Sequence, residues 1–451
     1  MDDAVLPIEV CGFIIDELCR DRGTLWACCL VCRTWLPRSR CNLYSSISID
    51  DAKSLDLFHR RIILDPEARK YLNNSRELHL LGPDYGDPDE MYQPSRPEFI
   101  YRALLPLATG LGPTVTYLEI RSGSWICTPT MYSPPMQLTQ FISVVELALN
   151  MCKFGTFSEM QRLIQALPSL ARIHLRFIEC KRLSITANEY MTPYSNRPRL
   201  STLDIRQCSS AFCNAMFSWL PLTESTQTLS VFEVNDVASL PKGVDSINQS
   251  SLGSFLDQVG SSLKYLHVDC LLNADLDLSR SMEWRYSLRL LQTSLNISRD
   301  SSAVRRLARI LSDAAFNELW VINLAVDIGD ISADIDLSQW KDIDDLCSFP
   351  KLPTLRAFAI KLTWSGLLDI SDESVIDERV GQTISKFRDQ LSGIHERGIL
   401  LVTESVECRM SHFANSFVVD LNDLAELSTF EERSEDSNSG EVSETSSALD
   451  S

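Results

Sequence analysis

The sequence predicts an α/β protein built in three parts: a small N-terminal helical module, a long array of stacked strand–helix units, and an acidic tail. Three observations carry this. Three short helical segments crowd into residues 6–44, an apolar spacing recurs about every 30 residues further on, and the last 20 or so residues are rich in Ser, Glu and Asp with almost no apolar side chains.

The first helix is expected in LPIEVCGFIIDELC. Leu6, Val10, Ile14 and Leu18 recur at i+4 and mark one apolar face, while Pro7 and Glu9 suit a first turn whose amides lack partners. Gly23 in DRGT breaks the pattern and Thr24 is the expected N-cap of a second helix through LWACCLV. A third segment, CRTWLPRSRCNLY, contains Pro37, which kinks or restarts a helix.

Residues 45–74 read as a link. SISI alternates as a short strand; Leu55, Phe58 and Ile62 then share a helical face behind Asp caps, and Asp65 with Pro66 opens another helix as N-cap and N1.

From residue 75 the pattern becomes strand, helix, strand. In the clearest unit Val144, Leu147, Leu149 and Cys152 form a strand, Phe157 to Leu167 a helix ended by Pro168, and Ala171 to Phe177 the next strand. The spacing L-x-x-L-x-L-x-x-C/N is met from Val144 and from Leu200, with looser copies from Val115, Leu170, Leu229, Leu263, Leu319 and Leu355 and a weak one near Leu291. The starts from 115 to 263 lie 26 to 34 residues apart, one strand and one helix per unit. Such units bury their apolar faces only by stacking, which gives an irregular solenoid over 75–427 with parallel strands on one side and helices on the other.

Four long segments interrupt the array, at 83–97, 122–136, 186–198 and 327–345. Pro and aromatic residues in the first three point to ordered, protruding loops. The acidic run Asp327, Asp330, Asp334, Asp336, Asp342, Asp344 and Asp345 lacks the glycine and terminal Glu of a calcium loop and reads as a solvated acidic loop. Residues 428–451 read as disordered, because they cannot bury enough surface to offset ordering entropy. Ser434, Ser437, Ser443 and Thr445 each sit near acids, a pattern suited to acid-directed kinases.

The totals exclude several classes of function. A formal charge of −19, of which residues 431–451 hold −6, and the lack of a basic stripe interleaved with aromatics argue against nucleic acid as partner. Asp2 and Asp3 follow Met1 where a signal would carry cations, and no apolar run approaches the ~18 residues of a membrane span. The expected location is the cytoplasm, the nucleus or both, with the 14 cysteines as reduced thiols.

Catalytic signatures are lacking. Phosphate-binding glycine loops, the nucleophile elbow and the HExxH zinc motif do not occur. Cys29 and Cys32 form a C-x-x-C, but no second such pair or H-x3-5-H completes a tetrahedral site, so Cys28, Cys29 and Cys32, with Cys11, Cys19 and Cys41 nearby, read first as filling for a small helical core, a metal or redox site on them being the less favoured alternative. His79, His174 and His267 fall on polar-face strand positions, where a solvent-facing or loosely bonded imidazole is expected. No cofactor, metal or catalytic residue is assigned.

One resemblance is specific. Leu6-Pro7-x-Glu9-Val10, Ile14, Leu18, then Leu25, Cys28, Leu30-Val31-Cys32-Arg33-x-Trp35, Arg40 and Leu43-Tyr44 closely resemble the F-box, LPxEVxxxIxxxL followed by LVCRxWxxxxR. It covers about 40 residues. The remainder is similar to the irregular leucine-rich-repeat bodies of fungal F-box proteins.

The resemblance implies a non-catalytic subunit of a ubiquitin ligase complex. An F-box-like module, 1–44, would dock on a Skp-type adaptor and through it on a cullin scaffold, and the leucine-rich-repeat-like solenoid would be the receptor for a target protein. The positions it assigns to the adaptor are Leu6, Pro7, Ile8, Glu9, Val10, Ile14, Leu30, Val31, Cys32 and Trp35, while Leu18, Cys28 and in part Ile14 are also suited to the internal core. PRSR after Trp35 interrupts the family's third helix. Three short helices are too few for a self-sufficient core, so part of their apolar surface is expected to be covered by a partner or by the next domain. The alternative is a repeat scaffold for protein–protein interaction, capped by this module and without a ligase connection. The target is not encoded in any general pattern; the loops at 83–97, 122–136 and 186–198 and the outward strand positions are where its contacts are expected.

Overall fold

A computed structural model describes residues 7–19, 21–82, 98–125, 137–183, 198–235, 249–268, 286–297, 302–312, 316–328, 337–347, 352–364 and 373–406. Three helices come first: α1 (Ile8–Glu17), α2 (Arg22–Val31) and α3 (Leu36–Leu43). Strand β1 (Ser46–Ile49), helices α4 (Ala52–Phe58) and α5 (Pro66–Arg69) and strand β2 (Glu77–Leu81) follow. Next are α6 (Glu98–Leu111), β3 (Tyr117–Arg121), β4 (Glu146–Asn150), β5 (Lys153–Thr156), α7 (Phe157–Gln165), β6 (Arg172–Arg176), β7 (Glu179–Arg182) and β8 (Thr202–Arg206). Then α8 (Ser210–Trp219), β9 (Val231–Asn235), α9 (Gln249–Val259), β10 (Tyr265–Val268), β11 (Leu290–Asn296), α10 (Ala303–Ser312) and β12 (Val321–Asp327). The described chain closes with α11 (Trp340–Cys347), β13 (Ala357–Trp364), α12 (Glu373–Gln390), α13 (Ser392–Glu396) and β14 (Leu400–Val406).

Twelve strands form one parallel sheet in chain order, β1-β2-β3-β4-β6-β8-β9-β10-β11-β12-β13-β14, and β5 pairs with β7 in a small second sheet. The first strand, β1, lies in the segment read as a link, so the sheet begins at Ser46. The period of two fixes its faces: Leu118, Ile120, Leu147, Leu149, Ile173, Leu175, Leu203 and Ile205 are buried against the helices, while the residues between them form an open polar face. One continuous core joins these strands to the helix layer, where Phe157 meets Phe212 and Trp219, and Phe217 meets Phe232 and Phe255.

The repeat spacing locates the strands with a constant offset. Those starting from Val115, Val144, Leu170, Leu200, Leu229, Leu263, Leu319 and Leu355 each begin two residues later. The weak copy near Leu291 is displaced: buried Leu288 occupies the matching place, two residues before β11. The last position of the motif has a hydrogen-bonding role. The Cys152 thiol donates to the Ile120 carbonyl at 3.3 Å, and the Cys208 sulfur accepts from the Ile178 amide at 3.4 Å.

A feature the apolar spacing does not reveal follows β3, β4, β6 and β8. Ser122, Met151, Phe177 and Gln207 have φ of 55°, 56°, 51° and 53°, left-handed conformations that cost a side-chain-bearing residue about 1 kcal/mol or more. Each of their amides donates to the last carbonyl of the next strand, at 2.8 to 3.1 Å, which holds the bend in place.

Several expectations for the N-terminal module are corrected. In α1 the buried residues are Cys11 and Ile15, while Val10 and Ile14 of the apolar stripe are exposed; Ile15 is the side chain that meets Leu25 and Leu43 in a small separate core. Leu18, Cys29 and Trp35 pack partly onto that core. Helix α2 starts at Arg22, and its N-cap is Asp21, whose carboxylate accepts from the Thr24 amide at 3.0 Å; the Thr24 hydroxyl braces the other carboxylate oxygen at 2.6 Å. Pro37 lies in the first turn of α3, where its missing N–H costs nothing, so it starts that helix.

The acidic segment also differs from expectation. Asp344, on α11, is buried, and its two oxygens accept from the Gly393 and Ile394 amides at 2.9 and 2.8 Å, capping α13. It is a structural carboxylate, and Asp342 and Asp345 lie on the same helix. Asp330, Asp334 and Asp336 lie outside the described residues, as do 83–97, nearly all of the 122–136 and 186–198 segments, and the tail with Ser434, Ser437, Ser443 and Thr445.

Candidate protein-docking surface

The helical module buries three large apolar residues, Ile15, Leu25 and Leu43, with Cys11 and Cys28 beside them. The other large apolar side chains of α1 and α2 point outward. Ile8, Val10, Phe13, Ile14, Trp26, Leu30 and Val31 are exposed, from 40% at Val10 to 85% at Leu30. These are seven of the fifteen large exposed apolar residues among those described, gathered into 24 positions of the chain, which makes this face the candidate docking surface.

Polar contacts hold this surface in place. Asp16 on α1 receives Arg38 of α3 in a two-point grip, Nε to Oδ1 at 2.7 Å and Nη2 to Oδ2, and also receives the Asn42 side-chain amide at 3.0 Å. The Arg38 guanidinium holds the Asp16 carboxyl below the usual carboxylate range. The module joins the body through Tyr44, whose ring stacks on Tyr71 at 6.2 Å and whose carbonyl accepts from Ser75.

Of the residues assigned to the adaptor from sequence, Ile8, Glu9 and Trp35 line one cleft of about 400 Å³ together with Phe13, Asp16 and Arg38. Leu30 lines a second, of about 550 Å³, with Trp26, Tyr44 and Tyr71. Pro7 is the exposed N-cap of α1, and Val10, Ile14, Val31 and Cys32 are exposed outside both clefts. Leu6 lies outside the described residues. Trp35 is half-buried, lining the cleft and packing partly against the small core. Ile14, also weighed as core, is exposed.

Phe13 and Trp26 were missed. Trp26 carried a signal, since it precedes Leu30 by four residues and so shares its helical face. Phe13 carried none, because α1 is apolar on two sides and the sequence alone does not say which side the core takes.

The thiols divide by burial. Cys11 and Cys28 fill the core, but Cys19 and Cys32 are exposed, which corrects the view of all these cysteines as filling. Cys32 Sγ lies 3.1 Å from the Thr34 hydroxyl, and hydrogen bonds from Thr34 and from the Trp35 amide hold its thiol below the ordinary value. Among the described residues no group of three or more His, Cys, Asp and Glu side chains is arranged to hold a metal ion, and no helix is long and apolar enough to cross a membrane.

The open face of the sheet carries a second, polar arrangement. The His79 ring meets Glu119 at 2.8 Å; His174 sits between Asp204 at 3.2 Å and Glu146 at 3.3 Å; Arg206 reaches Asp204 at 2.9 Å and Glu233 at 3.3 Å. These imidazoles are bonded in place, contrary to the loosely bonded state expected. Burial works against the His174 charge, but its two carboxylates outweigh it and push the ring up to about 9, while His174 and Arg172 hold Glu146 down at about 2.

Comparison with protein-family models gives no match for this chain, and a search of curated proteins finds no significant relative.

Proposed function

We propose that the chain is a non-catalytic substrate receptor of a Skp/cullin/F-box-type ubiquitin ligase: the N-terminal module docks on a Skp-type adaptor as an F-box, and the sheet-and-helix body, a leucine-rich-repeat-like solenoid, binds the target protein. The observation that carries this reading is the apolar surface of α1 and α2. A module with three large core residues that leaves Ile8, Val10, Phe13, Trp26, Leu30 and Val31 in solvent is built for cover by another chain. The sequence motif supports a particular partner, since Pro7, Glu9, Val10, Leu30 and Val31 occupy matching F-box positions and, with Ile8 between them, are all exposed. The strand-per-unit period and the chain-order parallel sheet support the solenoid half.

Affinity purification of the full chain from cells treated with a neddylation inhibitor tests the proposal. Recovery of a Skp-type adaptor and a cullin is expected. A chain that purifies alone under those conditions is the repeat scaffold instead.

A further inference from the structure

We propose that the rim of the sheet at the C-terminal ends of β4, β6 and β8, with β7 beside it, docks an acidic peptide segment of a partner protein. The proposal names a substrate class for the receptor reading and rests on it.

In a chain of net charge −19, residues 172–182 are the reverse: Arg172, His174, Arg176, Lys181 and Arg182 against Glu179. The strand register aligns Arg121, Asn150, Arg176, Arg206 and Asn235 in one row across five neighbouring strands, about 4.8 Å apart, and the row contains no acid.

Within that row the cations are not equivalent. Arg121 is paired with Glu119, and Arg206 with Asp204 and Glu233. Arg176 has no carboxylate partner among the described residues: its Nε donates to the Gln207 side-chain oxygen at 3.1 Å and its guanidinium lies 5.3 Å from the Phe177 ring centre. Lys181 and Arg182, on β7, are exposed and likewise take part in no ion pair among the described residues. Phe177 completes the surface. Its left-handed φ of 51° turns the ring outward, where it is 42% exposed beside Arg176.

Uncommitted cations, amide side chains at strand spacing and one exposed aromatic fit an extended acidic peptide carrying an apolar residue. A nucleic acid would also present negative charge, but the rest of a strongly acidic chain repels a long polyanion, and a peptide touches the rim alone.

The test uses the full chain and a short fluorescein-labelled glutamate-rich peptide, with its glutamine counterpart and a single-stranded oligothymidine of equal length as controls. Salt-sensitive binding of the glutamate peptide is expected, at least about tenfold weaker in Arg176→Glu/Lys181→Glu and in Arg182→Glu, and unchanged in Arg60→Glu, an exposed cation that is not part of the rim. Equal binding by wild type and the rim variants overturns the proposal, and so does preference for the oligothymidine. Binding that appears only after residues 431–451 are removed overturns it too, in favour of the chain's own tail as occupant. Recovery of the adaptor is read separately, so loss of the receptor reading and loss of this surface are distinguished. Arg182, exposed on the small sheet, keeps the test valid if the double variant misfolds.

Discussion

Arg38 grips Asp16 across 22 residues of sequence, tying α3 to α1 through both carboxylate oxygens. The pair fixes the angle at which α1 presents Ile8, Val10 and Phe13, because the three-residue core beneath is too small to do so alone.

Arg38→Ala therefore loosens the module without unfolding the body. Both side chains are partly in solvent, so the loss is at most about 1 kcal/mol. Limited proteolysis is expected to cut within residues 7–44 faster than in wild type, with the fragment from Ser46 onward left intact; equal cutting rates count against a bracing role.

The His174 cluster makes stability fall on the alkaline side. The folded ring titrates at about 9 against 6.5 unfolded, so its contribution is fully present below pH 6.5 and is lost as pH rises through about 9. Glu146, folded at about 2 against 4.5, contributes above pH 4.5 and loses its contribution as pH falls through about 2. Urea midpoints compared for wild type and His174→Gln should show the gap between them narrowing as the solution is taken from about pH 6 to above pH 9. A gap independent of pH sinks the assignment.

Removing the Asp344 carboxylate leaves two amides of α13 unpaired, that of Ile394 buried and that of Gly393 half-buried. Asp344→Ala is expected to cost about 2 kcal/mol, read from chemical denaturation, whereas a truly solvated acid would cost next to nothing.

Thiol reactivity separates surface from core. Cys32, exposed and held low by Thr34, is expected to be alkylated by iodoacetamide in the native chain, ahead of Cys152, Cys208 and Cys347, whose thiols burial pushes up to about 12. Peptide mass spectrometry of a time course reads the order, and early labelling of Cys152 contradicts the packing described.

How far the sequence reaches follows from the range of the forces involved. Strands such as β4 and β8 were legible because their buried residues alternate within one short segment and the unit repeats, so a period and an offset of two residues suffice. Which face of α1 takes the core is not legible, because Val10/Ile14 and Cys11/Ile15 are equally apolar stripes, and only Leu25 and Leu43, brought in from other helices, decide between them. Asp344 looked like one acid among many because the amides it caps lie about 50 residues away. The strain at Phe177 was hidden because left-handed positions are announced by glycine, and here the residue is aromatic. The exposed apolar face was half legible: the motif and its neighbours mark Ile8, Val10, Leu30 and Val31, the spacing to Leu30 points to Trp26, and Phe13 needed the packing.

The most direct test of the central claim is titration of the purified full chain with a purified Skp-type adaptor, wild type against Leu30→Asp/Val31→Asp, with thermal unfolding of both chains as control. Both side chains are largely in solvent, so the double variant is expected to keep its melting temperature and lose adaptor binding by at least about a hundredfold. Undiminished binding by the folded variant, or no binding by wild type, contradicts the account.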